Sequence, residues 1–306
     1  MDIRQLQALL TLINNDFSVS LTAEKLYLVQ SAVSQQLKRL EQELGSDLFI
    51  RKGKRLTGLT RFGEQVEEQA RAAIQAIRNI ERMAKDEQQQ NQGILRIGCT
   101  HTQARYILPP VISLFNRRFP EIELQMHQGN PQQLVDWAVH DVVDFSICTE
   151  ELAQSEKLES IPCYRWNRCL ITLEDHPIRK LDKPTLKDLC QYPIVTYVMG
   201  FTGRKSFNDT FHQQQLKPNT VLSAADTDII KTYVLDGLGI GVIASMAYNE
   251  TIDKSLYFKD LSHLFPWETT RIAFLKNRYI RRHQQTFIDI FLDTIRKDQS
   301  TRFQAL

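Results

Sequence analysis

The stretch Ile97-Gly98-Cys99-Thr100-His101-Thr102-Gln103-Ala104-Arg105-Tyr106 runs from apolar residues straight into two threonines and a glutamine, just ahead of a helix-like segment. These are neutral hydrogen-bonding groups. In an extended segment alternate side chains share a face, so Thr100 and Thr102 point one way and Cys99 and His101 the other. The two hydroxyls, the Gln103 amide and the free N–H groups of the following helix make a cradle for a small anion, held by dipoles without an opposite charge. The pattern repeats at Thr149 after "DFSIC" and at Thr202 in "YVMGFTGRKSF", where glycines let the backbone approach a ligand and Thr202 can cap the next helix. Taken singly, each threonine is better explained as a helix cap or strand residue. Their joint occurrence at strand ends favours a binding site.

Catalytic chemistry has less support. His101, His127 and His176 are spread along the chain without a nucleophile or metal-ligand grouping, and a lone histidine is more often structural. Cys99, Cys148, Cys163, Cys169 and Cys190 are odd in number and lack CxxC spacing, which argues against a disulfide framework or a zinc ribbon. Reduced buried thiols are the default; Cys99 would be a redox sensor only if exposed and ionised. No cofactor, metal or enzyme activity is expected.

The elements that must position the threonines alternate. Strands are predicted at 94–98, 121–129, 144–149, 168–173, 193–198, 220–224 and 239–245, with helical stretches between several of them, such as those starting at Tyr106 and ending at Gly237. Such alternation implies an α/β domain with a largely parallel sheet, whose ligands bind beyond the carboxyl ends of strands.

The first sixty or so residues read differently. Ile3, Leu6, Leu9, Leu10 and Ile13 make an amphipathic helix ending near Asn14-Asn15-Asp16. Ser20 or Thr22 can cap a second helix, and after a short turn Ser31 can cap "AVSQQLKRLEQELG", ended by Gly45. In that third helix Val33, Leu37, Leu40 and Leu44 form the buried stripe, leaving Ser34, Gln35, Lys38 and Arg39 outward. Hydroxyls and amides suit base edges, and Lys and Arg suit phosphates. Downstream, Arg51, Lys52, Lys54, Arg55 and Arg61 lie in "RKGKRLTGLTR" with no acidic residue, and Gly53 is available for a hairpin turn. A charge run is usually just solvated, but a helix pair followed by a basic hairpin favours DNA.

From Val66 to Ala84 an apolar series keeps helical spacing over a length that a sixty-residue domain cannot cover, so the helix is expected to pair with a second copy. The alternative is packing on its own chain. "DEQQQNQG" (residues 86–93) then reads as a hinge. Hydrophobic residues at 42% and charged residues at 24% are ordinary globular values. The net charge of +2 leaves a nucleic-acid partner to be argued from where the charges lie. The start lacks the features of a signal peptide, and the longest uncharged apolar run, 237–248, is shorter than the roughly 20 residues of a membrane span, so a cytoplasmic location is expected.

Residues 1 to about 63 resemble the winged helix-turn-helix of LysR-type transcriptional regulators. The segment "LTAEKLYLVQSAVSQQLKRLEQELGSDLFIRKGKRLTGLTRFG" carries their Q-S-A-V-S-x-Q run, their L-E-x-x-L-G-x-x-L-F-x-R run and their L-T-x-x-G. Tyr27 in the crossover and Phe62 before Gly63 depart from the pattern. Further on, "THTQARYILP", "MHQGNPQQ", "YPIVTYVMGFTGR" and "DTDIIKTYVLDGLGIGVIASMA" resemble the CysB-like branch, regulators of cysteine biosynthesis and sulfur assimilation, so the resemblance spans nearly the whole chain.

The resemblance implies an N-terminal all-α winged helix-turn-helix with a long linker helix, then a C-terminal α/β, two-lobed, periplasmic-binding-protein-like effector domain. Expected boundaries are 1–61, 62–92 and 93–306, with lobe I at about 93–163 and 266–306 and lobe II at about 164–265. DNA contacts would come from Thr22, Ser31, Ala32, Ser34, Gln35, Lys38, Arg51, Lys52, Lys54 and Arg55. Thr100, Thr102, Gln103, Thr149 and Thr202 inherit anion binding, with sulfate, thiosulfate, adenylylsulfate or N- or O-acetylserine as effector. Tyr164 and Trp166 mark a second ligand region, with burial in the core as the plainer alternative. Partners would be double-stranded promoter DNA, RNA polymerase and further copies of the chain as a homodimer or homotetramer, with no membrane. A solute-binding receptor would need only the C-terminal part, and the basic winged unit argues against it.

Overall fold

A computed structural model describes residues 1–53, 55–88, 91–297 and 303–305, which divide into an N-terminal unit and a larger C-terminal one. In the N-terminal unit α1 (Ile3–Ile13) opens with a capping box, in which the Asp2 carboxylate accepts from the Gln5 N–H at 2.9 Å. Helix α2 (Val19–Lys25) is capped by Ser18, ahead of the expected Ser20 or Thr22. The Thr22 hydroxyl instead donates to the Ser18 carbonyl at 2.7 Å, fully buried. Helix α3 (Gln30–Leu44) starts at Val29 without a side-chain cap, so Ser31 lies inside the helix and does not begin it. It ends at Gly45, whose φ of 68° is the left-handed conformation that glycine adopts freely.

Strands β1 (Phe49–Lys52) and β2 (Arg55–Leu59) form an antiparallel hairpin, the wing, with Lys54 of its turn outside the described residues. The unit is therefore helical with a small two-stranded sheet. Helix α4 (Arg61–Gln88) follows, and Gly63 is required at its start because a Cβ there would lie 2.2 Å from the Leu48 carbonyl oxygen. Ala70 and Ile74 of α4 join the core built on Leu9, Leu12, Leu37 and Leu40. Beyond that core Ile80 and Met83 are exposed, at 66% and 52%, so the far end of the apolar stripe is uncovered within this unit.

The C-terminal unit starts with β3 (Gly93–Cys99), α5 (Leu108–Arg118), β4 (Ile122–Gln128), α6 (Pro131–Val139), β5 (Phe145–Cys148) and β6 (Leu158–Trp166). It continues through β7 (Arg168–Thr172), α7 (Leu186–Leu189), β8 (Ile194–Tyr197), α8 (Arg204–Gln213), β9 (Thr220–Ala224), α9 (Thr227–Leu235), β10 (Ile240–Ala244) and β11 (Tyr257–Asp260). It closes with β12 (Glu268–Leu275), α10 (Arg282–Lys297) and β13 (Phe303–Ala305). Two sheets result, ordered β13-β6-β12-β5-β3-β4 and β11-β7-β10-β8-β9, and they are the cores of the two lobes.

The expectation of largely parallel sheets needs correction. Pairing is parallel among β3, β4 and β5 and among β8, β9 and β10, while β6, β7, β11, β12 and β13 pair antiparallel. The antiparallel strands are the ones that carry the chain between sheets or close its edges. Strand β6 had been missed because Pro162 interrupts it; the proline sits where the register with β12 shifts, a position that spares the ladder a missing N–H. Since β6 continues to Trp166, the chain leaves the first sheet at Asn167, a few residues after the expected 163/164 boundary. Helices α5 and α10 cover one face of the first sheet, where Phe115, Phe145 and Phe287 pack. The β5, β7, β8 and β10 strands are buried throughout, as strands covered on both faces must be.

Candidate ligand cleft and DNA-facing surface

Strand β3 ends at Cys99, and helical geometry begins at His101, so Thr100 and Thr102 do not alternate along an extended segment as expected. A turn brings them inward instead: Thr100, Thr102 and Gln103 are all buried, Thr102 to 1% exposure. The Thr100 carbonyl accepts from the N–H groups of Gln103 and Ala104, both at 3.1 Å. Residues Gln103–Ile107 then form a π-helical turn ahead of α5, a widened geometry that recurs at functional sites.

Around this turn the predicted ligand residues meet others from both sheets. The Tyr164 hydroxyl donates to Gln103 Oε1 at 2.5 Å, the Trp166 indole donates to Thr149 Oγ1 at 3.1 Å, and Thr149 lies 3.2 Å from Thr270 Oγ1. Tyr164 and Trp166 are thus fully buried parts of the same cluster, with their polar tips on Gln103 and Thr149, and do not form a separate region. Thr102 Oγ1 meets Thr202 Oγ1 of the other lobe at 3.5 Å. Nearby, the Tyr197 hydroxyl accepts from the Ala244 N–H and shares a 2.7 Å hydrogen bond with Thr227. Burial pushes the Tyr197 phenol up to about 12, so it stays neutral.

Thr202 does not cap α8. Its own φ is 38°, a strained value for a β-branched residue and of the kind that clusters at functional sites. The cap position belongs to Gly203, and its N–H is taken by the Glu150 carboxylate, which crosses from the end of β5. The Gly203 carbonyl accepts from Arg168 Nη2 at 2.5 Å, and the same guanidinium nitrogen meets Glu268 Oε1 at 3.0 Å. Arg168 is 3% exposed and lies against the rings of Trp166 and Phe265. Burial pushes the Glu150 carboxyl up, Gly203 N–H and Arg168 oppose that, and Glu268 adds to it. Glu150 Oε2 and Arg168 Nη1 are buried without a hydrogen-bond partner, a state that costs about 1–3 kcal/mol per group.

Sequence reasoning missed Glu150, Arg168, Glu268 and Thr270. Glu150 stands directly after Thr149 and was visible in principle, as a carboxylate at a strand end. Arg168 and Glu268 lie 100 residues apart and meet only through the fold. A further contact joins the lobes where Asp228, in the first turn of α9, accepts from the Tyr106 hydroxyl at 2.6 Å and pairs with Arg105 at 3.3 Å. Cys99 is fully buried and its thiol is pushed up to about 12 by burial, which removes the thiolate a redox sensor needs. Among the described residues no group of His, Cys, Asp and Glu is placed to hold a metal, and no helix is long and apolar enough to cross a membrane.

On the N-terminal unit Ser31, Ser34, Gln35, Lys38 and Arg39 are exposed along α3, with Ala32 half-buried. Lys52 and Arg55 are exposed on the wing. Thr22, expected among the DNA contacts, is fully buried and serves the packing of α2. Arg51 is also committed elsewhere: its Nη2 pairs with Glu41 at 2.6 Å, while the other Glu41 oxygen accepts from the Leu48 and Phe49 N–H groups. Glu41 thereby ties the wing to α3. Tyr27, in the turn between α2 and α3, is 96% exposed with a φ of 55°. With Val29 at the cap position, the first N–H groups of α3 are left for an outside acceptor such as a phosphate.

Comparison with known proteins agrees with this division. Residues 3–64 match the bacterial regulatory helix-turn-helix protein, lysR family, and residues 88–296 match the LysR substrate binding domain. The HTH-type transcriptional regulator CysB of Burkholderia cenocepacia is 37% identical over 297 residues, covering 97% of this chain and 95% of its own. The HTH-type transcriptional regulator SsuR of the same organism is 39% identical over 291 residues, covering 95% of this chain and 94% of its own. The crystal structure of the cofactor-binding domain of the Cbl transcriptional regulator superposes with a TM-score of 0.63 at 37% identity, covering 65% of this chain and 87% of that one. Regulators of this kind bind DNA and small effectors and are not enzymes, and the chain belongs to the LysR family of bacterial transcriptional regulators.

Proposed function

We propose that the chain regulates transcription of sulfur assimilation and cysteine biosynthesis genes, mainly as an activator, in response to a small sulfur-related anion or an acetylserine bound between the effector lobes. Its similarity to the sulfur regulators CysB, SsuR and Cbl supports the pathway. The observation that carries the ligand site is the Thr102–Thr202 contact, which brings neutral hydroxyls of both lobes together at the turn where Tyr164 holds Gln103, while Trp166 holds Thr149 at the end of β5. Hydroxyls and amides can hold an oxyanion without a counter-charge. Ser34, Gln35 and Lys38 of α3 with Lys52 and Arg55 of the wing are the DNA-contacting set in this reading.

The exposed Ile80 and Met83 of α4 favour a homodimer or homotetramer paired along this helix, working with RNA polymerase at promoters in the cytoplasm. The ligand acts only if it binds one arrangement of the effector domains more tightly than another. Calorimetric titration of the full chain with sulfate, thiosulfate, adenylylsulfate and N- and O-acetylserine tests the reading, repeated on Thr202→Ala. Saturable binding lost in the variant supports it. Silence with every compound overturns the sulfur ligand and leaves a LysR regulator of a different small anion.

A further inference from the structure

Strand β13 takes no part in the threonine cradle or in the DNA-facing surface. It pairs antiparallel with β6 at three positions, Phe303 opposite Trp166, Gln304 opposite Arg165 and Ala305 opposite Tyr164. Among the described residues this pairing covers only the last three positions of the nine-residue β6. Those three include both aromatic residues whose polar tips hold Gln103 and Thr149. On its other edge β6 meets β12, with Tyr164 opposite Thr270 and Trp166 opposite Glu268. Alternation along β13 turns Phe303 inward and leaves Gln304 in solvent. The Phe303 ring lies 5.1 Å from that of Tyr164, tilted by 49°, within the core of the first sheet.

A phenol hydroxyl is placed by its ring. Tyr164 is fully buried, so its hydroxyl meets Gln103 Oε1 at 2.5 Å only while packing holds the ring, and Phe303 supplies that packing from the β13 side. Gln103 opens the π-helical turn, and its N–H shares the Thr100 carbonyl with that of Ala104. At 1% exposure its amide oxygen has no ready access to water, so losing the hydroxyl forces the turn to rearrange. We infer that Phe303 is a positioning residue: docking of β13 on β6 holds the Tyr164 ring and, through its hydroxyl, orders Gln103 and the turn of residues 100–107. The consequence for ligands rests on reading the lobe junction as the effector site; the ordering of the turn does not.

A three-residue strand with one buried anchor is an element that opens locally, well before the unit unfolds. When it leaves, β6 becomes the edge of its sheet and the Tyr164 ring loses its packing on that side. The first sheet keeps its other five strands. Release of the C-terminal strand therefore loosens the turn without melting the lobe, and its return tightens it.

The test is amide hydrogen exchange read by mass spectrometry on the full chain without added ligand, for the wild type, Phe303→Ala, Tyr164→Phe and the double variant. Phe303→Ala is expected to speed exchange about tenfold across residues 100–107 while leaving β8 and β10 unchanged. Tyr164→Phe keeps the ring and removes the hydroxyl, and should do the same. The double variant should stay within about threefold of Tyr164→Phe alone, since both changes act through one hydroxyl. Unchanged exchange across 100–107 in Phe303→Ala, effects that multiply in the double variant, or faster exchange throughout the C-terminal unit overturns the positioning role. Phe303→Leu keeps an apolar anchor and should recover most of the protection; it also stands in for an alanine variant that does not fold. Calorimetry with sulfate and N-acetylserine then reads the consequence, with Phe303→Ala weakening whichever binds by about fivefold or more at unchanged promoter affinity. If the wild type binds neither compound, the effector-site reading fails and the exchange result alone decides the positioning.

Discussion

Helix α3 and the wing hold Lys38, Lys52 and Arg55 out in solvent, whereas the lobe junction buries Thr100, Thr102, Thr202 and Thr270 together with Arg168 and half-buries Glu150 and Glu268. Under the proposed function both regions would take anions, but by different physics. On the surface, mobile cations neutralise phosphates at a cost set by salt, and no single residue has to be placed to better than a side-chain length. In the cleft the groups come from five strand or helix ends in two sheets and act through short hydrogen bonds, so each position depends on its neighbours. The difference predicts that surface changes act alone and additively, while cleft changes act together.

The comparison is tested most severely at Gly203. A Cβ there would sit 2.2 Å from Arg168 Nη2 at a φ of 71°, so Gly203→Ala should destabilise the C-terminal unit by about 2–4 kcal/mol and abolish ligand binding, while promoter binding by the N-terminal unit persists. Differential scanning calorimetry and gel shift on the same sample check both halves; joint loss of DNA binding would break the separation. Next in size, Gln35→Ala should cost about 1–3 kcal/mol in binding the specific promoter and leave the oligomer intact. Equal affinity of the wild type for promoter and scrambled DNA would remove the ground for that expectation.

Glu150→Gln gives a pH-dependent effect of about 1 kcal/mol. The Glu150 carboxyl is raised by burial above the ordinary glutamate value of about 4.3, so the folded state favours its protonated form. That contribution is fully present below the unfolded value and is lost as pH rises through the folded value. The variant should therefore melt higher than the wild type near pH 7 and lose its advantage toward pH 4; a constant difference in Tm across that range would show that the charge is not responsible. The smallest effect is at the wing, where Lys52→Ala should lower the salt dependence of DNA binding by about one phosphate contact and weaken promoter and random DNA alike. A sequence-dependent loss there would move Lys52 from the backbone-contacting to the base-reading set.

How much was legible follows the same line. The helix pair of the N-terminal unit could be read because periodicity and caps are local; the errors at Ser20 and Thr22 arose because several hydroxyls compete for one cap, which Ser18 wins at α2, and the error at Ser31 because α3 starts at Val29 with no side-chain cap. Arg51 looked like a free cation because its partner, Glu41, lies ten residues back on α3. In the C-terminal unit the strands with clear apolar runs were readable, and β6, broken by Pro162, was not. The threonines announced themselves through their place at strand ends, but their geometry did not, since the turn at Thr100 replaces the extended path that alternation assumes.

By itself the sequence determined the helix-turn-helix with its outward α3 residues, the alternating α/β unit and the three threonine-bearing strand ends, because each rests on patterns within a few turns or strands. Tertiary structure alone decided that Tyr164 and Trp166 support the same cluster as the threonines, that Thr202 meets Thr102, and that Glu150 and Arg168 hold the N–H and the carbonyl on the two sides of Gly203. Those partners stand 17 to 100 residues apart along the chain, and only closure of two sheets against each other brings their polar ends within a hydrogen bond.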